Sequence, residues 1–451
     1  MTNATGSYIG YPAMSSRGLR IAWIGAGPGS SESGGVPGVA TELLLGLTRL
    51  GHEIDCYLPG TERALPKRIV DAERVTVIWG IAKPHRDRWY SRTGIGAFLA
   101  GLVSRGVGSV HLRRALVRRH EQEPYDVIYQ FSNIEALAMP GSLRDAVPLV
   151  IHPETHIAGE LRLLLAERRL SLRCQPVYVF VLTVCMMLVR VVVQRRRVRT
   201  ASLLVCISSV FRDHLLRDYR FPLERTVVIP NPVRLERFTE LDISREMGRP
   251  PTVLVLGRVA ARKGVEDVVA MAWRLQERGV DVRIRVVGGP SLWSDYSALL
   301  ADLPPASCEY AGRISPADIP AELERADVLL QASKYEPFGL TVGEALAAGV
   351  PVVATSEVGA IEQIDRAVVA EVAPGDVAGL ASAVTEILAR LEEAPAQMRA
   401  LARSEAQRRF APQLVSRQIS VALQQLVERR GRVQGAAVED PLDEPRRRAT
   451  G

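Results

Sequence analysis

Short runs rich in β-branched residues alternate with helix-length stretches along most of this chain, and halfway along the alternation starts again. In the first series the runs occupy residues 19–25, 53–58, 75–79, 126–131, 148–152 and 202–207. In the second they occupy 252–256, 282–287, 308–310, 327–331, 351–354 and 367–372. Strands separated by helices pair in parallel, and a parallel sheet is covered on both faces. At 451 residues the chain also exceeds what one hydrophobic core supports. The predicted fold class is therefore α/β, with two doubly wound, Rossmann-like domains joined near Pro230-Asn231-Pro232 and facing a cleft. Ligands of such sheets bind beyond the C-terminal strand edges. The predicted divisions are a tail at 1–18, a first domain at 19–229, a second at 230–400, a helix at 401–430 crossing back to the first domain, and a disordered tail at 431–451.

The formal charge is +7, with arginines clustered at Arg113-Arg114, Arg118-Arg119, Arg195-Arg196-Arg197 and Arg446-Arg447-Arg448. Anionic partners fit that balance, but no zinc-finger, RRM or helix-turn-helix pattern accompanies it, so nucleic acid is not expected. Five cysteines, odd in number, widely scattered and four of them within hydrophobic runs, read as buried thiols in a reducing compartment. They share no ligand spacing with the seven histidines, and no metal is expected. The N-terminus lacks the basic start and apolar run of a secretory signal, which gives the cytoplasm as the expected location.

Residues 177–193 (VYVFVLTVCMMLVRVVV) are nearly all apolar and are followed by arginines. The run falls short of the ~20 residues of a spanning helix, and Arg190 interrupts it. A buried helix of the first domain is expected, with peripheral contact at an anionic membrane, on the inner face, as the alternative.

The richest stretch chemically is 326–359, ADVLLQASKYEPFGLTVGEALAAGVPVVATSEVG. A strand ends, a loop carries Glu336-Pro337-Phe338-Gly339, and a helix starts near Leu340. Amides at a helix start have no partner and lie along the dipole, so they receive a phosphate. Gly339 lets the backbone approach closely. Glu336 and Glu344 would lie ~12 Å apart along a helix, too far for the carboxyl pair of a retaining hydrolase. Spread along an extended ligand, each carboxylate instead suits a vicinal diol. In VLVLGRVAARKGVEDVV, Arg258 follows a strand and Lys263 precedes a helix, both at the ligand edge, where two cations stabilise a departing diphosphate.

Gly257-Arg258, Lys263-Gly264, Glu336-Pro337-Phe338-Gly339, Glu344-Ala345 and Gly349-Val350-Pro351-Val352, in that order, resemble the retaining glycosyltransferases of the GT-B fold, family 4. VIPNPVRLERF resembles that family's interdomain linker, with Pro232 where Gly is usual. The resemblance implies that 19–229 binds the acceptor and 230–400 the nucleotide-sugar donor. It implies that Arg258 and Lys263 hold the donor diphosphate, Glu344 the ribose and Glu336 the transferred sugar, with the amides of Phe338, Gly339 and Leu340 completing the contacts.

GAGPGS at 25–30 superficially resembles a dinucleotide fingerprint, but Ser30 stands at its sixth position and further residues precede the next helix, so NAD or flavin is not expected. The resemblance assigns the Gly-Gly pair of this loop to Gly34-Gly35, beside the donor phosphate, and Gly35 is the first-domain candidate. It also places a histidine near the reacting sugar, either His152 or His156, with His152 favoured. His52 is read as structural.

The expected activity is transfer of a hexose-type sugar with retention, in carbohydrate biosynthesis, without metal or cofactor. The catalytic set is Glu336, His152, Arg258 and Lys263, and the acceptor hydroxyl is lipid-linked, on a polysaccharide or on a natural product. The alternatives are a nucleotide-sugar epimerase of the same fold and a non-catalytic, membrane-associated nucleotide-sugar-binding protein.

Overall fold

The computed structural model describes residues 17–29, 35–60, 62–82, 95–132, 141–174, 176–290 and 296–438, giving the backbone alone at 82, 95–108 and 433–438. Two parallel sheets form the frame. The first contains β1 (Arg20–Gly25), β2 (Glu53–Gly60), β3 (Val75–Ala82), β4 (Val127–Phe131), β5 (Leu149–His152), β6 (Leu203–Cys206) and β7 (Thr226–Val228), in the order β3-β2-β1-β4-β5-β6-β7. The second contains β8 (Thr252–Leu256), β9 (Arg283–Val287), β10 (Cys308–Gly312), β11 (Val328–Gln331), β12 (Val352–Thr355) and β13 (Val369–Val372), in the order β10-β9-β8-β11-β12-β13. The fold is thus α/β with two Rossmann-like units of GT-B type. The central strands β4, β11 and β12 are buried along their whole length, which is why they appear in the sequence as unbroken apolar runs rather than alternating ones. β7 has only three half-buried residues at the sheet edge and no such run.

Strand order reverses between β1 and β4 in one sheet and between β8 and β11 in the other. The crevices that open there are where such sheets bind ligands, and they bring the ends of β1, β5, β8 and β11 to the cleft.

The chain's last long helix, Pro412–Val438, returns to the first domain and packs on the helix Val36–Arg49. Gly46 permits this, because a β-carbon there would meet Ser416 Oγ at 1.9 Å. Val415, Ile419 and Leu423 join the core beside β1 and β2, and His52 is buried with Leu19 N donating to Nδ1 at 2.9 Å and Ser420 Oγ 2.7 Å from Nε2. The helix runs on past residue 431, where a tail was expected. Residues 1–16 and 439–451, with Arg446, Arg447 and Arg448, lie outside the described residues.

The apolar run at 177–193 departs from expectation. It continues through the arginines as one helix, Val177–Val198, which is long and apolar enough to cross a membrane. Nor is it buried: Val179, Thr183, Met187, Gln194 and Val198 face inward against the helix Ile157–Ala166, while Tyr178 is 68% and Val189 65% exposed. Among the described residues only one stripe of the helix finds a partner layer, so its apolar composition does not translate into burial.

The domains are tied together beside the cleft. Ser208 Oγ donates to the Pro337 carbonyl at 2.8 Å, and the Glu362 carboxylate accepts from the Ser209 and Val210 amides at 2.8 and 2.7 Å. The second domain thereby caps the helix Ser209–Tyr219 of the first. Lys334 pairs with Glu167 at 2.6 Å, and Tyr335 OH bonds His156 Nδ1 at 2.9 Å.

Candidate active site

After β11 the chain folds back on itself. Gln331 Nε2 donates to Ser333 Oγ at 2.8 Å, and Thr341 Oγ1 donates to Gln331 Oε1 at 3.1 Å. The next residues lie against the loop after β12: Glu336 N donates to Glu357 O, Gly359 N to Glu336 O and Ala360 N to Phe338 O. That pairing fixes Glu336 before Gly339 turns, at φ 96°, into the helix Leu340–Ala347. The first amides of this helix have no intrahelical acceptor. Phe338 is buried, edge-on to Phe410 at 5.5 Å.

From β8 the chain passes through Gly257 and Arg258 into the turn Ala261–Lys263, which ends at Gly264 with φ 66°. A β-carbon at Gly264 would meet the Ala332 carbonyl at 1.9 Å. Glycine therefore lets this turn sit directly on the end of β11, delivering its side chains to Glu336. Lys263 Nζ is ion-paired with Glu336 Oε2, and Arg262 Nη1 donates to the same oxygen at 2.7 Å. Arg262 also donates to the Tyr335 carbonyl at 3.3 Å and accepts at its own carbonyl from Lys334 N. Burial would raise the Glu336 carboxyl, but the two cations outweigh it and hold the pKa at about 2. Burial pulls the Lys263 ammonium down to about 8 despite Glu336. Arg258, by contrast, is exposed, and no hydrogen bond or ion pair engages it among the described residues. Glu160, on the helix Ile157–Ala166, bears electrostatically on Arg258 and Arg262.

A cavity of about 540 Å³ opens between the domains, bordered by Gly35 and Arg68 on one side and by Arg237, Leu340 and Glu344 on the other. Gly35 caps the helix Val36–Arg49 at φ 66° and has open space where a β-carbon would be. Glu344 faces Arg237 at 3.8 Å, yet burial raises its carboxyl to about 7. Two glycines of the GAGPGS loop, Gly25 and Gly27, face protein instead. A β-carbon on Gly25 would meet the Phe131 carbonyl at 2.2 Å, and one on Gly27 the Leu58 side chain at 2.1 Å. Ser30 and residues 31–34, Gly34 among them, lie outside the described residues.

His152, at the end of β5, is fully buried and does not border this cavity. Its Nδ1 is 2.6 Å from Tyr129 OH and its Nε2 3.5 Å from Glu154 Oε1. Burial lowers its pKa to about 3, so the ring is neutral at physiological pH. Glu154 accepts from Asn231 Nδ2 at 2.7 Å, and burial pushes its carboxyl up to about 8, with Glu336 adding to the rise. His156 serves a different contact, between Tyr335 OH and Asp218 Oδ2 at 2.9 and 3.0 Å.

Sequence reasoning singled out Lys263 but passed over Arg262 beside it, and it singled out two histidines but passed over Glu154 between them. In both cases the neighbour's partner lies more than seventy residues away, at 74 and 77 positions. Only the basic Arg-Lys doublet was there to be noticed. Among the described residues no three His, Cys, Asp or Glu side chains are grouped to hold a metal ion.

Residues 236–405 match the family described as Glycosyl transferases group 1, and residues 33–237 that described as Glycosyltransferase Family 4. A glycogen synthase of Mycobacterium tuberculosis (strain ATCC 25618 / H37Rv) is 33% identical over 209 residues, which is 46% of this chain and 49% of that protein. The chain thus spans about half the length of that relative. A D-inositol 3-phosphate glycosyltransferase of Mycobacterium sp. (strain KMS) is 27% identical over 83% of this chain and 81% of its own. Among solved structures, sucrose-phosphate synthase from Thermosynechococcus elongatus superposes with TM-score 0.63 at 19% identity, covering 93% of this chain and all of that one. An Anabaena protein in complex with UDP and glucose superposes with TM-score 0.58 at 20% identity, over 90% of this chain and 99% of its own. The two family matches abut at the linker and together cover both domains, and the chain belongs to the group 1 glycosyltransferases of the GT-B fold.

Proposed function

We propose that this protein transfers a hexose-type sugar, with retention of anomeric configuration, from a nucleoside diphosphate sugar to an acceptor hydroxyl. The observation that carries the reading is the pairing of Arg262 and Lys263 with Glu336, with Arg258 near enough to feel the Glu336 charge, next to the helix tip at Gly339, where a β-carbon would stand 3.4 Å from Glu336 Cγ. Donor nucleotide and sugar lie on the second domain, with the ribose diol on Glu344 and sugar hydroxyls on Glu336. The acceptor enters from the first domain, past Gly35.

In the reaction the bond between the anomeric carbon and the β-phosphate oxygen breaks, and the electron pair leaves with the diphosphate. Arg258, Lys263 and the amides of Phe338, Gly339 and Leu340 stabilise that charge. The acceptor oxygen bonds to the same face of the sugar, and its proton passes to the departing phosphate oxygen. Glu336 is held by two cations and engaged with sugar hydroxyls, so it orients the sugar rather than attacking it. His152, being neutral, contributes hydrogen bonding and not charge. No step calls for a metal or cofactor. Nucleic acid is not a partner in this reading. The five cysteines are unpaired, which supports the cytoplasm as the place of work, although only Cys56 and Cys206 are buried and Cys185, on the open face of Val177–Val198, is exposed.

Incubation with UDP-, GDP-, ADP- and TDP-sugars, in the presence of candidate acceptors, tests the proposal through nucleoside diphosphate release. Release with one donor, lost on Lys263→Ala, and a product whose anomeric proton coupling matches the donor are expected. Release that is unchanged in the variant overturns the role of Lys263, and an inverted product overturns retention. Conversion of a UDP-sugar to its epimer without an acceptor overturns transfer itself.

A further inference from the structure

Seven of the fifteen large apolar side chains that stand exposed among the described residues sit on the single helix Val177–Val198. Val177, Tyr178, Val181, Leu188, Val189 and Val192 are each half exposed or more. Their spacing follows successive helical turns, so they form one continuous stripe ~24 Å long, opposite the face that packs on Ile157–Ala166. Scattered apolar residues are ordinary on a protein surface, whereas a contiguous stripe marks an interaction site.

Charge indicates the partner. From Arg168 to Thr200 the sequence holds eight arginines and no Asp or Glu. Arg168, Arg169 and Arg173 are exposed before the start of the stripe, and Arg196 is exposed where it ends. Basic residues at both ends of an apolar stripe fit a helix lying in the plane of an anionic interface, with its apolar face among the acyl chains and its ends at the headgroups. A second copy of this chain fits less well, since a two-fold contact would set arginines against arginines with no local carboxylate to pair them.

A spanning helix does not fit either, because this one connects the neighbouring strands β5 and β6 and is fastened at both flanks. Gln194 Oε1 accepts from Ile157 N at 3.2 Å and from Tyr219 OH at 2.6 Å. Extracting the helix into a bilayer would strip those bonds and part β6 from β5.

We propose that the stripe on Val177–Val198 seats the protein on the surface of an anionic lipid bilayer. The seat lies one helix from the reaction. Ile157–Ala166 separates it from the Glu336 loop, and Gly159 of that helix lies against Tyr335, where a β-carbon would come within 2.9 Å of the ring. A docked protein therefore holds the side of its cleft near the headgroups, where a lipid-linked hydroxyl would be presented. The seat itself does not depend on the transferase reading.

The test is co-sedimentation of the full chain with vesicles of phosphatidylcholine alone or with 30% phosphatidylglycerol, a roughly membrane-like anionic fraction. Sedimentation with the anionic vesicles only, reduced at least about tenfold by Val181→Glu with Val189→Glu and weakened by Arg169→Glu with Arg173→Glu, is expected. Both pairs are exposed, so circular dichroism and donor-dependent nucleotide release in solution should match the unsubstituted protein, which separates failure of docking from failure of the transferase reading. Absence of sedimentation, equal binding to neutral vesicles, or indifference to Val181→Glu with Val189→Glu overturns the proposal. So does a dimer in light scattering that these substitutions dissociate, since a second copy would then cover the stripe. Association with cell membranes that survives alkaline carbonate overturns it in favour of spanning.

Discussion

Arg262 and Glu336, 74 residues apart in sequence, meet at 2.7 Å with Lys263 on the same carboxylate oxygen. The contact joins the turn after β8 to the loop after β11 across the point where the strand order of the second sheet reverses. It makes Glu336 a permanently ionised, rigidly held acceptor and leaves Arg258 as a cation without a protein partner among the described residues. A site in which one arginine orients the carboxylate and another waits for an anion makes different predictions for each.

Arg262→Ala should lower both stability and catalysis. It removes a charge-assisted hydrogen bond of ~1.5–3 kcal/mol from a buried carboxylate, which corresponds to roughly ten- to hundredfold in kcat/KM if Glu336 is displaced in the transition state. Arg258→Ala should leave stability within about 0.5 kcal/mol, because no hydrogen bond or ion pair holds it among the described residues, while weakening donor binding about tenfold. Urea denaturation and donor titration of the two variants check the contrast, and a destabilised Arg258→Ala with intact donor binding would reverse the assignment.

The titration of Glu344 and Lys263 predicts a bell-shaped pH dependence of kcat/KM. In the proposed reaction the Glu344 carboxyl, raised by burial to about 7, must be ionised to accept two ribose hydroxyls, so activity falls as pH drops through that value. In the same proposed reaction the Lys263 ammonium, lowered by burial to about 8, must be protonated to stabilise the diphosphate, so activity falls as pH rises through that value. Lys263→Arg should carry the alkaline limb upward, since a guanidinium stays charged. Glu344→Gln should abolish the acid limb at a lower plateau. An alkaline limb that stays in place in Lys263→Arg belongs to another group.

What could be read from the sequence follows from what is local. Strands β8, β11 and β12 appear as apolar runs because both faces are covered, and the Gly339 helix start was legible because a single glycine marks it. β7 was not read, since three half-buried edge residues leave no pattern. The apolar composition of Val177–Val198 predicts burial because it usually means an apolar environment, yet burial is decided by what packs outside the helix, and here one face finds no partner layer among the described residues. Glu154 and Arg262 were passed over because their partners, Asn231 and Glu336, reach them only through the fold.

Two buried neutral histidines predict acid sensitivity. His52 and His152 have pKa values lowered by burial to about 4 and about 3, whereas in the unfolded chain both titrate near 6.5. Below 6.5 the unfolded state binds protons that the folded state refuses, so stability is complete above 6.5 and falls with pH toward the folded values, by up to about 1.4 kcal/mol per pH unit for each histidine. Urea unfolding between pH 7 and pH 4.5, a range chosen to lie roughly within that window, should carry about two protons of slope from these histidines, opposed by Glu154 and Glu344, whose raised carboxyls are protonated when folded and ionise on unfolding. His52→Gln should remove one of the histidine protons. A slope unchanged in that variant would mean that His52 is already charged when folded.

The cap that Glu362 supplies to Ser209 and Val210 predicts how the domains are held. A lost N-cap costs about 1 kcal/mol in a single helix, but this cap belongs to the other domain, so its loss also loosens the closure beside Pro337. Glu362→Ala should therefore reduce stability by about 1–2 kcal/mol and raise the KM for the donor, with a larger radius of gyration in small-angle scattering. Glu362→Gln, which keeps an acceptor without the charge, should fall between the two. Gly359→Ala should act more severely on the same contact, because its β-carbon would meet Ser208 Oγ at 2.3 Å and the Pro337 carbonyl at 2.4 Å, forcing the loops apart. If Glu362→Ala alters stability while scattering and donor KM stay unchanged, the carboxylate caps a helix and nothing more, and closure rests on Lys334–Glu167 and His156–Tyr335 instead.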